Sequence, residues 1–490
     1  MEDALASPRA DDASFNEQAR SDVLNFLRRH DAKAPLPSTN GNNGSVSLPP
    51  PPKSIEATGL SMSFLIELVL KIIHYTETPT AEYIARILGL PASLTGHILD
   101  SMKNDRLCEV ISTSSYDLTT AYRFRLTDKG ETRAEQALER CRYAGAAPVP
   151  LVQYEKVIAS LALDRWRPPL ETIRAATEAL VLDPESADLL ERALHSGRST
   201  MVYGPSGNGK THLLTQFTNH LQGEVLVPYA VYAYGQIIRL YDPLVHKRAD
   251  RQPTAPVSDS PAAGKNGALL DDSGDRRWVC IRRPGIIVGG EFSAESLELG
   301  YDPVARFYQA PKHLKAQGGV LVVDDFGRQR VAPGELLNRW IMALERGRDH
   351  LLLRTGESID VPFCISLLFS TNLDPLDLAD AAYLRRVPYK AFMPPVSPEQ
   401  FTEILRRVVA EEGVRASEED LVATVQHLFQ TAGESVSGSL ARDLVSIVID
   451  NAYHEGSEPV LTVPAVDLAY RQFTGVAGRR VLPQRPVVES

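Results

Sequence analysis

Cysteine is scarce in this sequence and never clustered. Cys108, Cys141, Cys280 and Cys364 stand far apart without metal-site spacing, which excludes a disulfide scaffold or a cysteine-ligated zinc module. They read as reduced thiols in a cytosol. Long apolar runs are missing too. None approaches the ~20 residues that span a bilayer, so no membrane insertion is expected. The first stretch, MEDALASPRADDASF, is acidic and has no apolar centre, so no secretory leader is expected and the expected location is cytoplasmic. An excess of positive charge is also absent. A net charge of −10 argues against a generic nucleic-acid binder, which needs a basic face. What is present, 43% apolar and 23% charged residues over 490 positions, suits several soluble globular domains.

Composition divides the chain. Residues 1–58 are expected to be a disordered arm, because PLPSTNGNNGSVSLPPPPKS offers almost nothing to bury. Upstream of that run Phe15, Ala19, Val23 and Phe26 recur at helical spacing, enough for one short amphipathic helix. Residues 59–140 read as three helices, two short strands and a helix. A linker is expected over 141–160, around GAAPVPLVQ. An α/β unit follows over 161–395, with a loose Pro- and Asp-rich insertion at 249–275. Residues 396–475 turn all-helical, and 476–490 are expected to be an unstructured tail.

The chemistry begins at GPSGNGKT, residues 204–211, preceded by the apolar run TMVY and followed by a helical pattern. Gly204, Gly207 and Gly209, with Pro205, Ser206 and Asn208 between them, let the backbone curl so that N–H groups face phosphate oxygens. Lys210 brings an ammonium to the outer phosphates, Thr211 offers a hydroxyl to Mg²⁺, and His212 continues into the helix whose dipole favours an anion. A second feature completes the pattern. VLVVDDFGRQR runs four apolar residues into Asp324 and Asp325. On an acid-bearing strand beside the P-loop strand, Asp324 would hold Mg²⁺ and Asp325 would orient and polarise the attacking water. ATP and Mg²⁺ are therefore the expected cofactors.

Beyond these motifs the sequence resembles the AAA+ ATPases, and the resemblance implies further roles. Asn372, in LLFSTNLDP, matches the sensor-1 position. DLADAAYLRRVPYK looks like the segment that ends in the arginine finger, so Arg386, or else Arg385, would reach a neighbouring subunit's ATP. GSLARDLVSI resembles the sensor-2 helix, which makes Arg442 the contact to γ-phosphate within the same chain. A hairpin at 347–364 and a segment at 289–319, where some clades carry a pore-facing insertion, look like the MoxR-type ATPases and the bacterial enhancer-binding activators, whose G-A-F-T-G-A loop is absent here. IRRPGIIVGGEF, DDFGRQRV, LLNRW and STNLDP together resemble bacterial predicted ATPases with chaperone activity. Asp325 departs from the pattern, in which Glu is more usual. Residues 59–140 resemble a winged helix, a fold that often reads DNA with its third helix. That helix offers only His97 and Lys103 beside Asp100 and Asp105, and the domain carries nine Lys or Arg against eleven Asp or Glu. DNA binding is thus disfavoured against protein docking.

The expectation is an α/β protein: an αβα P-loop NTPase (AAA+) core with a helical lid, behind a winged-helix domain and a disordered arm. Its expected work is Mg-ATP-dependent, chaperone-like remodelling of a protein client by a homo-oligomer, for which the resemblance implies a hexameric ring. A DNA-binding regulator or motor, and an ATP-binding switch or scaffold with little turnover, are the alternatives.

Overall fold

The computed structural model describes residues 46–111, 122–162, 166–249, 274–378, 381–432 and 436–475. The short helix expected around Phe15 to Phe26, most of the 249–275 insertion and the 476–490 tail lie outside the described residues.

Two stretches expected to be loose are part of the fold. Residues 46–58, assigned above to the arm, are docked: Leu48 packs on buried apolar side chains, and the Pro49 carbonyl accepts the Asp275 N–H at 2.7 Å. Proline has no N–H, so a proline run can lie on a protein surface without leaving donors unsatisfied. Asp275, expected at the edge of the insertion, is 2% exposed and pairs at 2.8 Å with the equally buried Arg277.

The N-terminal unit comprises helices Ile55–Thr58, Met62–Thr76, Ala81–Leu88 and Ala92–Asn104, the antiparallel pair β1 (Cys108–Ile111) and β2 (Arg123–Leu126), and helix Asp128–Arg140. Ser61 and Thr80 start their helices by accepting the N–H of Phe64 and Tyr83. Leu65, Leu68, Val69, Ile72 and Ile73 then recur at helical spacing and form the core. Three of the basic groups that could track a phosphate backbone are already engaged. Lys103 pairs with Asp100 at 2.9 Å, Arg125 with Glu109 at 2.5 Å, and Arg123 donates to the Thr78 carbonyl at 2.9 Å. The full chain is therefore expected to bind random-sequence duplex DNA more weakly than ~10 µM at physiological salt, measured by fluorescence anisotropy. Sub-micromolar, sequence-selective binding that Arg123→Ala and Arg125→Ala abolish would reverse that conclusion.

The remaining strands are β3 (Val149–Pro150), β4 (Thr200–Tyr203), β5 (Glu224–Pro228), β6 (Ala230–Ala233), β7 (Gln236–Arg239), β8 (Trp278–Arg282), β9 (Gly285–Val288), β10 (Gly300–Asp302), β11 (Phe307–Gln309), β12 (Val320–Val323), β13 (Arg348–Leu352), β14 (Ser358–Pro362), β15 (Ser366–Thr371) and β16 (Tyr389–Phe392). The linker expected over 141–160 is not a tether. Ala144, Ala146 and Ala147 are buried, β3 pairs with β6, and helix Leu151–Ala162 follows directly. Small side chains let this backbone pack closely where a flexible linker would stay solvated.

The 289–319 segment contributes β10 and β11 to a five-stranded sheet of order β10-β11-β7-β6-β3. Ala230, Ile237 and Phe307 of that sheet join the core of the N-terminal unit, and Tyr232 packs against Phe64 with the rings tilted and their centroids 4.8 Å apart. The unit thus sits on the insertion rather than hanging from it.

The central sheet is wholly parallel, in the order β16-β4-β15-β12-β9. All four residues of β12 are buried, as a strand covered on both faces requires. Alternation assigns the faces. Val202, Val320, Val322 and Leu368 meet Ile173, Leu190, Leu213 and Phe217 from helices Leu170–Glu178, Pro184–His195 and Lys210–Asn219. Met201, Leu321, Val323 and Phe369 meet Leu336 and Trp340 of helix Pro333–Arg346 on the other side. The acid strand is not beside the P-loop strand, as the sequence reading had it, because β15 lies between them. Helices Pro398–Glu411, Glu418–Ala432, Leu440–Glu455 and Val463–Phe473 enclose a core of their own.

Candidate nucleotide site

The loop after β4 is shaped by what approaches it. Gly204 has φ +141°, and a Cβ there would stand 2.1 Å from the Met393 carbonyl oxygen. Gly207 has φ +78°, and its Cβ would meet the Ser439 hydroxyl at 2.6 Å. Only glycine combines these dihedrals with such close neighbours. The Gly207 carbonyl accepts the Ser439 N–H at 2.9 Å, and Asn208 Nδ2 donates to the Pro394 carbonyl at 3.0 Å. The C-terminal helices are thereby fastened to the loop through the Gly207 carbonyl, and the segment that leads into them through the Asn208 side chain.

Lys210 is 5% exposed, and its Nζ donates to the carbonyls of Gly204 at 2.9 Å and Pro205 at 2.7 Å. Burial lowers its pKa below the usual lysine value, against the pull of Asp325 and Asp324. Two loop carbonyls thus hold the ammonium in place until a better acceptor arrives. Thr211 Oγ1 donates to Asp324 Oδ1 at 2.9 Å, which brings helix Lys210–Asn219 and the end of β12 together.

Ser370, on the intervening β15, was not singled out from the sequence, and it joins the two acids. Its hydroxyl donates to Asp324 and accepts the Asp325 N–H at 3.0 Å. Asp325 itself has φ +49°, a left-handed conformation that Asp tolerates better than most side chains. Gln329 Nε2 steadies the turn by donating to the carbonyls of Asp324 at 2.9 Å and Asp325 at 3.2 Å. The signal for Ser370 was faint: a lone hydroxyl in the apolar run LLFS, one strand away from the acids.

These groups open on a cavity of about 650 Å³. Of the residues singled out from the sequence, Ser206, Gly207, Asn208, Gly209, Lys210, Thr211, His212, Asp325, Asn372 and Arg442 line it, and Gly204, Pro205 and Asp324 do not. Arg442 is held at 2.7 Å by Glu411 and at 3.5 Å by Glu412. One wall is apolar: Leu180 and Leu182 from ahead of helix Pro184–His195, Met393 after β16, and Val396, Ile404 and Val408 from the lid. The sequence reading missed this wall, whose parts are some 200 positions apart; a flat base fits between such faces.

Arg385 and Arg386 lie elsewhere. They line a separate cavity near the starts of β4, β12 and β15, where Arg386 pairs with Glu345 at 3.1 Å. Neither meets the P-loop of its own chain. The hydroxyl of Thr211 and the carboxylate of Asp324, 2.9 Å apart, are hard oxygen donors that fit Mg²⁺, with the Asp325 carboxylate beside them.

The model of the AAA ATPase domain family matches residues 185–353, and a domain of unknown function, DUF8689, matches residues 397–472. No curated protein matches the chain. Among solved structures, the RuvB Holliday junction branch migration motor of Thermotoga maritima is 12% identical with a TM-score of 0.31, over 64% of this chain and 73% of that one. NtrX from Brucella abortus in complex with ADP is 14% identical with a TM-score of 0.37, over 73% of this chain and 68% of that one. No helix of the described residues is long and apolar enough to cross a membrane. The ATPase-domain match supports nucleotide binding, and with the parallel sheet, its P-loop after β4 and its acid pair after β12 it makes this the αβα fold of the AAA+ P-loop NTPases.

Proposed function

We propose that the chain is a Mg-ATP-dependent ATPase that works between subunits and remodels a protein or protein complex. The observation that carries this reading is the meeting of Lys210, Thr211, Asp325 and Arg442 on one cavity, with Asp324 joined to Thr211 at 2.9 Å just behind its wall. Lys210 and the loop N–H groups bind the phosphates. Thr211 and Asp324 hold Mg²⁺, which when bound neutralises charge on the outer phosphate oxygens. Asp325 orients the attacking water and draws on its proton, and Asn372 helps fix that water beside the γ-phosphate. Arg442 exchanges Glu411 and Glu412 for the γ-phosphate as the lid turns.

The charge still missing at the γ-phosphate comes from Arg386, or from Arg385, of the next copy, since both sit away from their own P-loop. The hexameric ring follows the AAA+ resemblance. In this reading residues 59–140 are the winged-helix adaptor that docks a protein, with Lys103, Arg123 and Arg125 already engaged, and the four C-terminal helices are the lid.

Mixing tests the assembly. Arg386→Ala and Lys210→Ala chains should each turn over ATP at least about 10³-fold more slowly than the parent, as loss of an arginine finger or of the phosphate-binding lysine entails. An equimolar mixture should recover measurable turnover, because an intact P-loop then meets an intact finger. An Arg385→Ala series decides which arginine acts. Full activity from a demonstrably monomeric species would overturn the proposal.

A further inference from the structure

The second cavity, about 510 Å³, has a composition that its place in the fold does not require. Arg198, Arg283, Arg385 and Arg386 all reach its wall, and among the described residues no aspartate or glutamate lines it. Arg386 has Glu345 behind it. Arg198 and Arg283 differ: among the described residues no carboxylate pairs with either. Arg283 donates Nε to the Gln222 carbonyl at 3.2 Å and Nη1 to the Gly318 carbonyl, and its guanidinium lies 4.4 Å from the centre of the Trp166 ring. Burial pushes its pKa down to about 10. Carbonyls and a ring face orient a guanidinium, but they do not neutralise it, and a desolvated cation without a counter-charge is costly. Arg198 is exposed, and its carbonyl accepts from Thr200 and Ser366, which anchors it where β4 and β15 begin.

We propose that this cavity binds a phosphate-bearing ligand through Arg198 and Arg283. Planar guanidinium forks match phosphate oxygens in pairs, and a cavity of this volume holds more than a single small anion. The chain's own nucleotide cannot be that ligand. The four residues of β4 separate the two sites by roughly 13 Å, with the P-loop at one end and this cavity at the other. The phosphate comes either from a free molecule or from nucleotide on a neighbouring copy, and only the second source rests on the subunit reading above.

Pyrophosphate titrated calorimetrically into the full Lys210→Ala chain, at a concentration where it is monomeric, tests the first source without requiring any turnover. One site with a Kd below about 1 mM is expected, weakened about tenfold or more by adding Arg198→Ala, an exposed change that spares the fold. Arg283→Lys, which keeps the charge but loses the fork, should weaken it as well. If the monomer takes up no pyrophosphate, the second arm applies at assembly concentration. There Arg198→Ala in the otherwise unaltered chain should lower turnover about tenfold or more while ATP affinity measured on the dilute monomer stays at the parent value, which assigns the ligand to the neighbour's nucleotide. Failure of both arms, with no pyrophosphate site and unaltered turnover in Arg198→Ala, would overturn the proposal. A chain that binds pyrophosphate at this site yet hydrolyses no ATP would overturn only the ATPase reading.

Discussion

Asp325→Asn should leave ATP affinity within about twofold of the parent chain and slow turnover about 100-fold or more, because it removes only the charge that draws on the water's proton. The binding apparatus is untouched. Lys210 and Thr211 keep their places, and the link from Ser370 to residue 325 runs through the backbone N–H, which asparagine preserves. Asparagine also tolerates the left-handed backbone that residue 325 adopts at φ +49°. The loss therefore reports chemistry rather than misfolding. Lys210→Ala is the contrasting case and should abolish binding itself. The same backbone accounts for the departure from Glu: Asp is among the residues enriched at positive φ, so Asp325→Glu should bring strain and no gain in rate. Fluorescent-nucleotide titration and phosphate release, run on the same preparations, separate these effects. Parent-like turnover in Asp325→Asn would give the water to another residue.

Arg277→Met should be strongly destabilising, costing about 3–5 kcal/mol, because it leaves the Asp275 carboxylate buried without its partner. Arg277 also donates to the Thr58 carbonyl at 3.0 Å and to Gln153 at 3.1 Å, so it fastens the N-terminal unit to the ATPase core. Calorimetry should accordingly show the N-terminal unit melting ahead of the core in the variant. Replacing both partners, as in Asp275→Leu with Arg277→Met, should recover a large part of the loss, since no isolated charge then remains. A variant melting within about 1 °C of the parent would show that the pair contributes little.

How legible all this was depended on how local each signal is. The P-loop announces itself in eight consecutive residues, because backbone N–H groups, ammonium and hydroxyl must converge on one phosphate chain. Asp324 and Asp325 were visible because a buried strand seldom ends in two acids without a reason. Ser370 was not, since its role comes from a strand order that no local pattern encodes. The β6–β7 hairpin also passed unread. Its turn places Tyr234 at φ +47° beside Gly235 at φ +76°, and a tyrosine at a left-handed position gives none of the usual Asn-Gly or Asp-Gly warning. Residues 46–58 and 141–160 looked like arm and linker because prolines and alanines resemble loose chain until something is there to pack on.

The interposition of β15 sets a length. Strands lie about 4.8 Å apart, so β4, which runs into the P-loop, and β12, which ends at Asp324, are two spacings, roughly 10 Å, from one another. The side chains Thr211 and Ser370 converge on one Asp324 carboxylate to close that interval. The sheet thus works as a caliper whose jaws are the P-loop and the acid pair, with β15 as the gauge between them. The adjustable part of that gauge is Ser370, whose hydroxyl meets both Asp324 and the Asp325 N–H, so replacing it would shift the acid jaw without touching a residue of the P-loop.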